Sequence, residues 1–319
     1  MAETLHSNYQ IRWKNYRRFE DTGWITIKPL TILLGANNGG KSSVLSPLLL
    51  LSQTMASTDY EAPLLPFGPL IDLGSYKDFV HRHDPRRDLS FGVRFHTHDP
   101  KGKKLKPVGT YAPGGFELTF GAGTKPELLK LKRFEVTDIY NRFYFRRVAK
   151  KSGFSLDGAI SIDEMKPEEK RAVEKAHPMN FLFAPGNTIY KLGEENGKDE
   201  KVDEGSFSKS FSHYLRATGS TYFQVRELLE DFSYVGPLRA KLSRFYRVSP
   251  EAPETVGSQG EHTANLFRRR HEKLKKQVNM WVKKFDFGEE LHYRDLTDDL
   301  FQLVFKTNSE LTNVADSGF

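Results

Sequence analysis

Early in the chain stands the run Thr31-Ile32-Leu33-Leu34-Gly35-Ala36-Asn37-Asn38-Gly39-Gly40-Lys41-Ser42-Ser43. From residue 35 it has the spacing GxxxxGKS, in which glycines let backbone N–H groups converge on an anion without Cβ clashes. The helix expected after the glycines points the positive end of its dipole at the same place. The run therefore predicts a loop that binds phosphate groups.

The flanks of the run fit this prediction. Residues 30–34 are apolar, as in a buried strand, and residues 42–55 have the pattern of an apolar helix. A glycine-rich turn that matches the motif by chance is the alternative. A dinucleotide-binding fold is disfavoured, because its GxGxxG pattern is absent and Lys41 would have no role there.

The motif assigns a role to each kind of residue in the loop. Lys41 is expected to neutralise the β- and γ-phosphates, and the Ser42 hydroxyl to ligate Mg²⁺. Asn38 tolerates a positive φ better than most residues. We expect ATP as the nucleotide, held by Gly35, Asn37, Asn38, Gly39, Gly40, Lys41, Ser42 and Ser43.

Composition limits the possible classes of protein. The 319 residues are 38% hydrophobic with a mean hydropathy of −0.57, and no stretch is long and apolar enough to predict a membrane span. The first ten residues lack the apolar region of a secretory signal. The absence of cysteine excludes disulfides and thiolate chemistry and fits a cytoplasmic location. The net charge of +7 permits a polyanionic partner without requiring one.

The pattern of apolar residues predicts three segments. Residues 1–160 form a lobe with the phosphate loop and an antiparallel β-subdomain, with strands at 10–19, 22–27, 89–96, 116–120, 128–136 and 142–148 and a turn at 112–115. Residues 161–232 form an insertion with helices at 164–175 and 222–232 and a flexible loop at 193–205. Residues 233–319 begin with a strand at 233–239 and contain an amphipathic helix at 263–285.

That amphipathic helix combines an apolar stripe with a basic face. The stripe predicts burial against the rest of the protein, and the basic face is either solvated or a nucleic-acid contact surface. The sequence favours the solvated face. The stripe comprises Phe267, Leu274, Val278, Trp281 and Phe285.

Three further stretches combine with the phosphate loop to give a family resemblance. In chain order they are Lys14-Asn15-Tyr16-Arg17-Arg18-Phe19, Asp72-Leu73-Gly74-Ser75-Tyr76-Lys77-Asp78-Phe79 and Gly236-Pro237-Leu238-Arg239. With these stretches the chain resembles ABC-type ATPases of the SMC, RecF and OLD branch. Within that branch it is most similar to bacterial AAA-family ATPases of anti-phage systems of the Septu type.

The resemblance implies an α/β fold: an ABC-type ATPase head with a mixed sheet around the phosphate loop, an antiparallel β-subdomain and helical insertions. It implies that Arg17 approaches the phosphates and that two heads sandwich ATP in a homodimer or higher homo-oligomer. It further implies ATP hydrolysis coupled to DNA-directed anti-phage defence or DNA repair. A nuclease would be the partner and DNA a possible one, with no membrane involved.

Two family elements are missing from the sequence. No apolar strand ends in Asp-Glu, the pair that would support Mg²⁺ and polarise the attacking water. Residues 228–231, Leu-Leu-Glu-Asp, come nearest but have a helical pattern and the reverse order. Residues 314–319 resemble the start of the family's signature motif, so we expect the N-terminal part of a longer ATPase that binds nucleotide with little turnover on its own.

Gln53 is another apparent candidate, for contact with Mg²⁺ and the attacking water. It lies twelve residues beyond Lys41 on the same predicted helix. That places it about 18 Å along the axis, at about 1.5 Å per residue. We therefore leave this role unassigned.

Two other hypotheses remain open. His81 and His83, and likewise His96 and His98, stand at i, i+2, which on a strand would turn two imidazoles to one face for a metal-dependent hydrolase. Alternatively, the chain binds ATP without hydrolysis and serves as a scaffold for a nuclease. Phosphate release distinguishes an ATPase from a scaffold.

Overall fold

The alternating and amphipathic patterns of the sequence produce a mixed α/β protein in the computed structural model. The structure describes residues 9–95, 113–123, 129–196, 204–230, 232–307 and 310–316. The chain divides into two units, Met1–Phe232 and Ser233–Phe319. The first two segments expected from the sequence thus lie in one unit, and the third begins where the second unit begins.

An antiparallel sheet of eight strands forms the framework of the first unit. Its spatial order is β2-β1-β4-β5-β6-β7-β8, with β3 also paired to β1. The strands are β1 (Tyr9–Tyr16), β2 (Phe19–Asp21), β3 (Ile25–Ile27), β4 (Leu89–Arg94), β5 (Pro113–Ala122), β6 (Leu129–Asp138), β7 (Phe143–Ala149) and β8 (Phe154–Gly158).

The antiparallel meander expected from the sequence is therefore present from β4 to β8. The turn expected at residues 112–115 is wrong, because residues 113–115 lie inside β5; Ala112 is outside the described residues. A Cβ on Gly114 would come 1.8 Å from the Asp138 carbonyl oxygen. Gly114 lets β5 and β6 approach closely at a register shift. In the sequence, a glycine in this role has the same composition as a turn.

Five α-helices of the first unit are described, and one begins at the phosphate loop. They are α1 (Lys41–Met55), α2 (Tyr76–Phe79), α3 (Pro167–Lys175), α4 (Pro185–Asn196) and α5 (Lys209–Glu230). The expected helices at 164–175 and 222–232 correspond to α3 and to the end of α5. Residues 193–196 of the expected loop belong to α4, and residues 197–203 lie outside the described residues.

Helix α1 is tied to β1 by two buried hydrogen bonds. The indole N–H of Trp13 donates to the carbonyl of Val44 at 2.7 Å, and the hydroxyls of Tyr16 and Ser46 are 2.7 Å apart. Both aromatic side chains are completely buried. The start of α1 is thereby fixed relative to the sheet.

The second unit is built on a four-stranded antiparallel sheet. Its buried cluster includes Phe267, Phe301 and Leu303. The strands are β9 (Tyr246–Arg247), β10 (Glu290–Asp295), β11 (Leu300–Thr307) and β12 (Glu310–Asn313), and the helices are α6 (Thr263–Arg269) and α7 (Glu272–Lys284). The strand expected at 233–239 is wrong, because these residues are irregular.

The single helix expected at 263–285 is also wrong. Arg270 and His271 have extended backbones, with ψ of 156° and 152°, and separate α6 from α7. The Arg269 guanidinium donates to the carbonyl of Glu251 at 2.7 Å, and that of Arg270 to the carbonyl of Glu254 at 3.2 Å. These long-range bonds anchor the end of α6, and no periodicity in the sequence reveals them.

The mixed sheet around the phosphate loop is not seen. Every pairing between the described strands is antiparallel. Residues 30–34, expected as a buried strand, are irregular, and Leu30, Ile32 and Leu34 are 80%, 69% and 89% exposed. An apolar run becomes a buried strand only beside a partner, and no described strand pairs with this one.

Candidate functional site

The phosphate loop turns tightly and then enters α1. The N–H of Gly39 donates to the carbonyl of Ala36 at 2.9 Å and closes a four-residue turn. Asn38 sits in this turn with φ of 62°, as its tolerance of positive φ predicts. Gly35, Asn37 and Gly39 are exposed along the same turn. The loop is therefore open to solvent.

Gly40 is the residue before the helix and has to be glycine for two reasons. Its φ of 92° is left-handed, and an added Cβ would lie 2.7 Å from the Arg18 Cδ. Helix α1 has no side-chain cap, and the N–H of Val44 donates to the carbonyl of Gly40 at 3.2 Å. The amides of the first helical turn are left available to an anion.

Lys41 and Ser42 occupy that first turn. The Lys41 Nζ donates to the carbonyls of Gly35 and Ala36, each at 2.8 Å, so the ammonium lies over the mouth of the loop. Ser42 is exposed, and its hydroxyl bonds no other described residue. An ammonium and a free hydroxyl thus stand beside uncapped amides, which is the donor set expected for a magnesium-bound phosphate.

A cleft of 680 Å³ opens beside the loop, and we call it the arginine cleft. It brings Arg17 and Ser43 together with Asn38 and Gly40 of the loop. Arg18 joins the cleft to the loop, because its Nη1 donates to the Asn38 carbonyl at 2.6 Å. The lining residues are Arg17, Arg18, Asn38, Gly40, Ser43, Asp78, Val80, His81, Arg82 and His83.

The far wall of the cleft is bonded to β1 and α2. The Arg17 N–H donates to the carbonyl of Phe79 at 2.6 Å, and the Arg17 carbonyl is 2.8 Å from the His81 Nδ1. His83 contacts the carbonyl of Lys77 through its own Nδ1, at 2.8 Å. Three arginines therefore face one space that ends at the start of α1.

Four residues of the cleft hold left-handed backbones without being glycine. They are Arg17, Asn38, Arg82 and His83, with φ of 49°, 62°, 58° and 54°. Such conformations cost about 1 kcal/mol or more each and cluster where function requires a fixed geometry. The structure concentrates them at this cleft.

The electrostatic balance of the cleft is positive. Asp78 is the carboxylate among its lining residues, and it accepts bonds from the Ser75 N–H at 2.7 Å and the Ser75 hydroxyl at 2.6 Å. The hydroxyl bond first and the N–H bond second lower the pKa of Asp78 below its ordinary value, so this carboxylate stays charged. The positive charge of the cleft is suited to a polyanion. Among the described residues that line it, no carboxylate is free to activate water.

Gln53 lies away from this site. Its side chain is 4% exposed, and its Oε1 accepts the N–H groups of Leu70 and Ile71 at 3.2 and 3.0 Å. Its Nε2 donates to the carbonyl of Ile71 at 3.1 Å and to that of Leu65. The glutamine shapes the loop that follows α1.

The sequence located the loop and Arg17, but it did not indicate Arg18, Arg82 or His83 as part of the site. His81 and His83 were candidates for a metal site on a strand. They lie instead in a 3₁₀ turn, His81–His83, and each Nδ1 bonds a backbone carbonyl. No described residues form a group of three metal-ligating side chains. His96 and His98 lie outside the described residues.

Residues 228–230 of the apparent Leu-Leu-Glu-Asp motif are helical, at the end of α5. Asp231 and residues 317–319 are outside the described part of the chain.

No protein-family model matches this sequence, and no curated protein matches it. None of the described helices has the length and apolar character needed to cross a membrane.

Proposed function

We propose that the loop from Gly35 to Ser43 binds a magnesium-complexed nucleoside triphosphate, with ATP as the nucleotide. The observation that carries the proposal is the position of the Lys41 ammonium, 2.8 Å from two loop carbonyls beside the uncapped start of α1. Phosphate oxygens would replace these carbonyls as acceptors. Ser42 would then supply its hydroxyl to Mg²⁺.

The arginine cleft supports a ligand with several phosphates. A single phosphate needs only the loop amides and Lys41, whereas Arg17, Arg18 and Arg82 add positive charge along the cleft. Guanidinium groups bind phosphate oxygens through paired N–H donors. The terminal phosphates would lie between the first turn of α1 and these arginines.

The resemblance to ABC-type ATPases extends the proposal to the whole protein. The head would hydrolyse ATP as a homodimer or higher homo-oligomer and couple hydrolysis to DNA-directed anti-phage defence or DNA repair. A nuclease would be its partner. The support for this step is the motif set of residues 14–19, 35–43 and 236–239.

One observation favours a second function for the chain as it stands. Asp78 of the cleft is held by Ser75, so no described lining carboxylate is placed to polarise water. This supports a scaffold that binds ATP, holds an assembly together and hydrolyses ATP slowly or not at all. Phosphate release with and without DNA separates the two functions, since an ATPase motor accelerates with its partner.

Titration with a fluorescent ATP analogue and Mg²⁺ tests the site. We expect Lys41→Ala to weaken binding by at least about 100-fold, because a charge-assisted hydrogen bond contributes up to about 3 kcal/mol. Lys191→Ala, at another half-buried lysine of the same unit, should bind like the unmodified protein. Unchanged affinity in Lys41→Ala would overturn the assignment of the site.

A further inference from the structure

The second unit exposes a row of aromatic rings. Trp281, Phe285 and Phe287 are 46%, 59% and 44% exposed. The rings of Trp281 and Phe285 stack with centroids 5.6 Å apart at 23°, and those of Phe285 and Phe287 at 5.8 Å and 29°. The stack begins on the last turns of α7 and continues past its end.

This row is the part of the predicted apolar stripe that the fold does not bury. Helix α7 buries Val282, which is 7% exposed, and packs Val278 against the cluster of the second unit. The side of α7 that carries Trp281 and Phe285 meets water instead. Packing within the second unit therefore does not explain why these positions are aromatic.

Lysines border the row. Lys283 and Lys284 precede Phe285 in sequence and the exposed Asp286 follows it. The Lys284 Nζ lies 4.6 Å from the centroid of the Trp281 ring. Lys273 and Lys276 are exposed on the preceding turns of α7. The one carboxylate of the helix, Glu272, is bonded to Lys275 at 2.9 Å. At 3.6 residues per turn, Lys273 and Lys284 lie within about 80° of Trp281 around α7, so these two lysines place positive charge beside the rings.

The position of Lys284 distinguishes between two kinds of polyanionic partner. A helix that inserts into a membrane surface keeps its charges on the face opposite its apolar side chains. Here an ammonium lies over a ring of the row itself. Single-stranded nucleic acid requires this mixture, because its bases stack on aromatic rings while its phosphates contact neighbouring cations.

We propose that these residues form a binding surface for single-stranded nucleic acid, which we call the aromatic platform: Trp281, Phe285 and Phe287 with Lys284. Bases add to the existing stack of rings, and Lys284 contacts the backbone beside them. The arginines of α6 do not contribute, since Arg268 pairs with Asp295 and Arg269 with backbone carbonyls. The platform is independent of the triphosphate site.

Fluorescence anisotropy of the full chain with labelled single strands of fifteen thymidines or uridines tests the platform. We expect Trp281→Ala and Phe285→Ala each to weaken binding by about 5-fold or more, the effect of losing one base–ring stack. Trp281→Phe keeps a ring and should retain most of the affinity. Tyr190→Ala, at a side chain 65% exposed on α4, should bind normally.

The salt dependence provides a second measurement. Replacing Lys284 with glutamine should reduce the slope of log affinity against log salt by about 0.7, the contribution of one phosphate contact to a single strand. Binding should also quench Trp281, which is far more exposed than the fully buried Trp13.

Three results would overturn the platform. The first is an absence of single-strand binding, and the second is binding that Trp281→Ala and Phe285→Ala leave unchanged. The third is binding to phosphatidylserine vesicles, lost in the same variants, without binding to single strands. Circular dichroism of each variant shows whether it is folded, and Trp281→Phe tests stacking with the smallest change in packing.

Discussion

Arg147 lies at the centre of the first unit and is fully buried. Its guanidinium bonds the Tyr214 hydroxyl and donates to the carbonyls of Ser155 and Val173, and it stacks on Phe183 at 4.3 Å. Burial lowers its pKa, and no described carboxylate forms an ion pair with it. A cation is thus stabilised inside the protein by backbone carbonyls and aromatic rings.

We predict that Arg147→Ala lowers the free energy of unfolding by about 3–5 kcal/mol, because it leaves buried acceptors without a donor. Arg146→Ala is the matched control. The neighbouring Arg146 faces the other side of β7 and pairs with the exposed Asp157, so its loss should cost less than about 1 kcal/mol. Urea denaturation measures both, and equal losses would contradict the role of Arg147.

A pH effect is expected at Asp21. The Arg12 side chain, which donates from Nε to Asp21 at 2.9 Å, lowers the pKa of this carboxyl from 3.8 to about 2. A lowered pKa in the folded state means that its stabilisation is present above pH 3.8 and is lost as pH falls toward 2. The pair is partly exposed, so the contribution is at most about 1 kcal/mol.

The measurement for Asp21 is the stability difference between the unmodified protein and Asp21→Asn. We predict a difference at pH 6 that shrinks as pH falls from 4 toward 2. A difference that stays constant over this range would mean that the Arg12 pair does not stabilise the fold.

Residue-level prediction from sequence is confirmed where it concerns local backbone geometry. The phosphate loop is a contiguous run, so its spacing shows in the sequence, and Asn38 adopts the expected positive φ. Arg82 and His83 join the cleft only because α2 and the 3₁₀ turn fold back on β1, as the bond from Arg17 to Phe79 shows. Contacts made across the fold in this way have no signature in the sequence.

At the scale of elements, the sequence predicted the meander correctly but assigned two glycines of β5 to a turn. Alternating apolar residues indicate strands whatever their neighbours are, whereas Gly114 and Gly115 have the composition of a turn. The break between α6 and α7 depends on bonds from Arg269 and Arg270 to the segment at 251–254. The helical spacing of apolar residues continues across residues 270–271, so the sequence gives no sign of the break.

We predict that Gly114→Ala destabilises the first unit by about 3 kcal/mol, because its Cβ meets the backbone of β6 at 1.8 Å, which cannot move without disturbing the sheet. Gly186→Ala is the control, since an added Cβ there meets nothing within 4 Å. Near the start of α4 it should be neutral or stabilise by less than about 1 kcal/mol. Thermal unfolding compares the two, and similar melting temperatures would refute the close approach of β5 to β6.

At the scale of the whole molecule, the two units contain separate buried clusters. Trp13, Phe91 and Phe120 belong to the first, and Phe267 and Phe301 to the second. All residues of the phosphate loop and of the arginine cleft lie in the first unit. Binding of the proposed triphosphate would therefore act directly on the stability of the first cluster.

We predict two transitions in differential scanning calorimetry. At 100 times its dissociation constant, MgATP stabilises the unit that binds it by about 2.7 kcal/mol, so one transition should shift upward. Phe301→Ala should lower only the other, since a buried phenylalanine contributes about 3–5 kcal/mol. A single transition that responds to both changes would show that the units unfold together.

The exposed residues 30–34 have a consequence for the loop that they lead into. No described residue hydrogen-bonds the backbone of residues 32–34, while α1 is fixed to β1 through Trp13 and Tyr16. Of residues 30–34, Leu33 packs against the buried cluster, so the loop is held more firmly at its α1 end than at this end. Nucleotide binding must therefore order residues 30–34 as the loop closes around the phosphates. We expect binding to have a favourable enthalpy and a large unfavourable entropy.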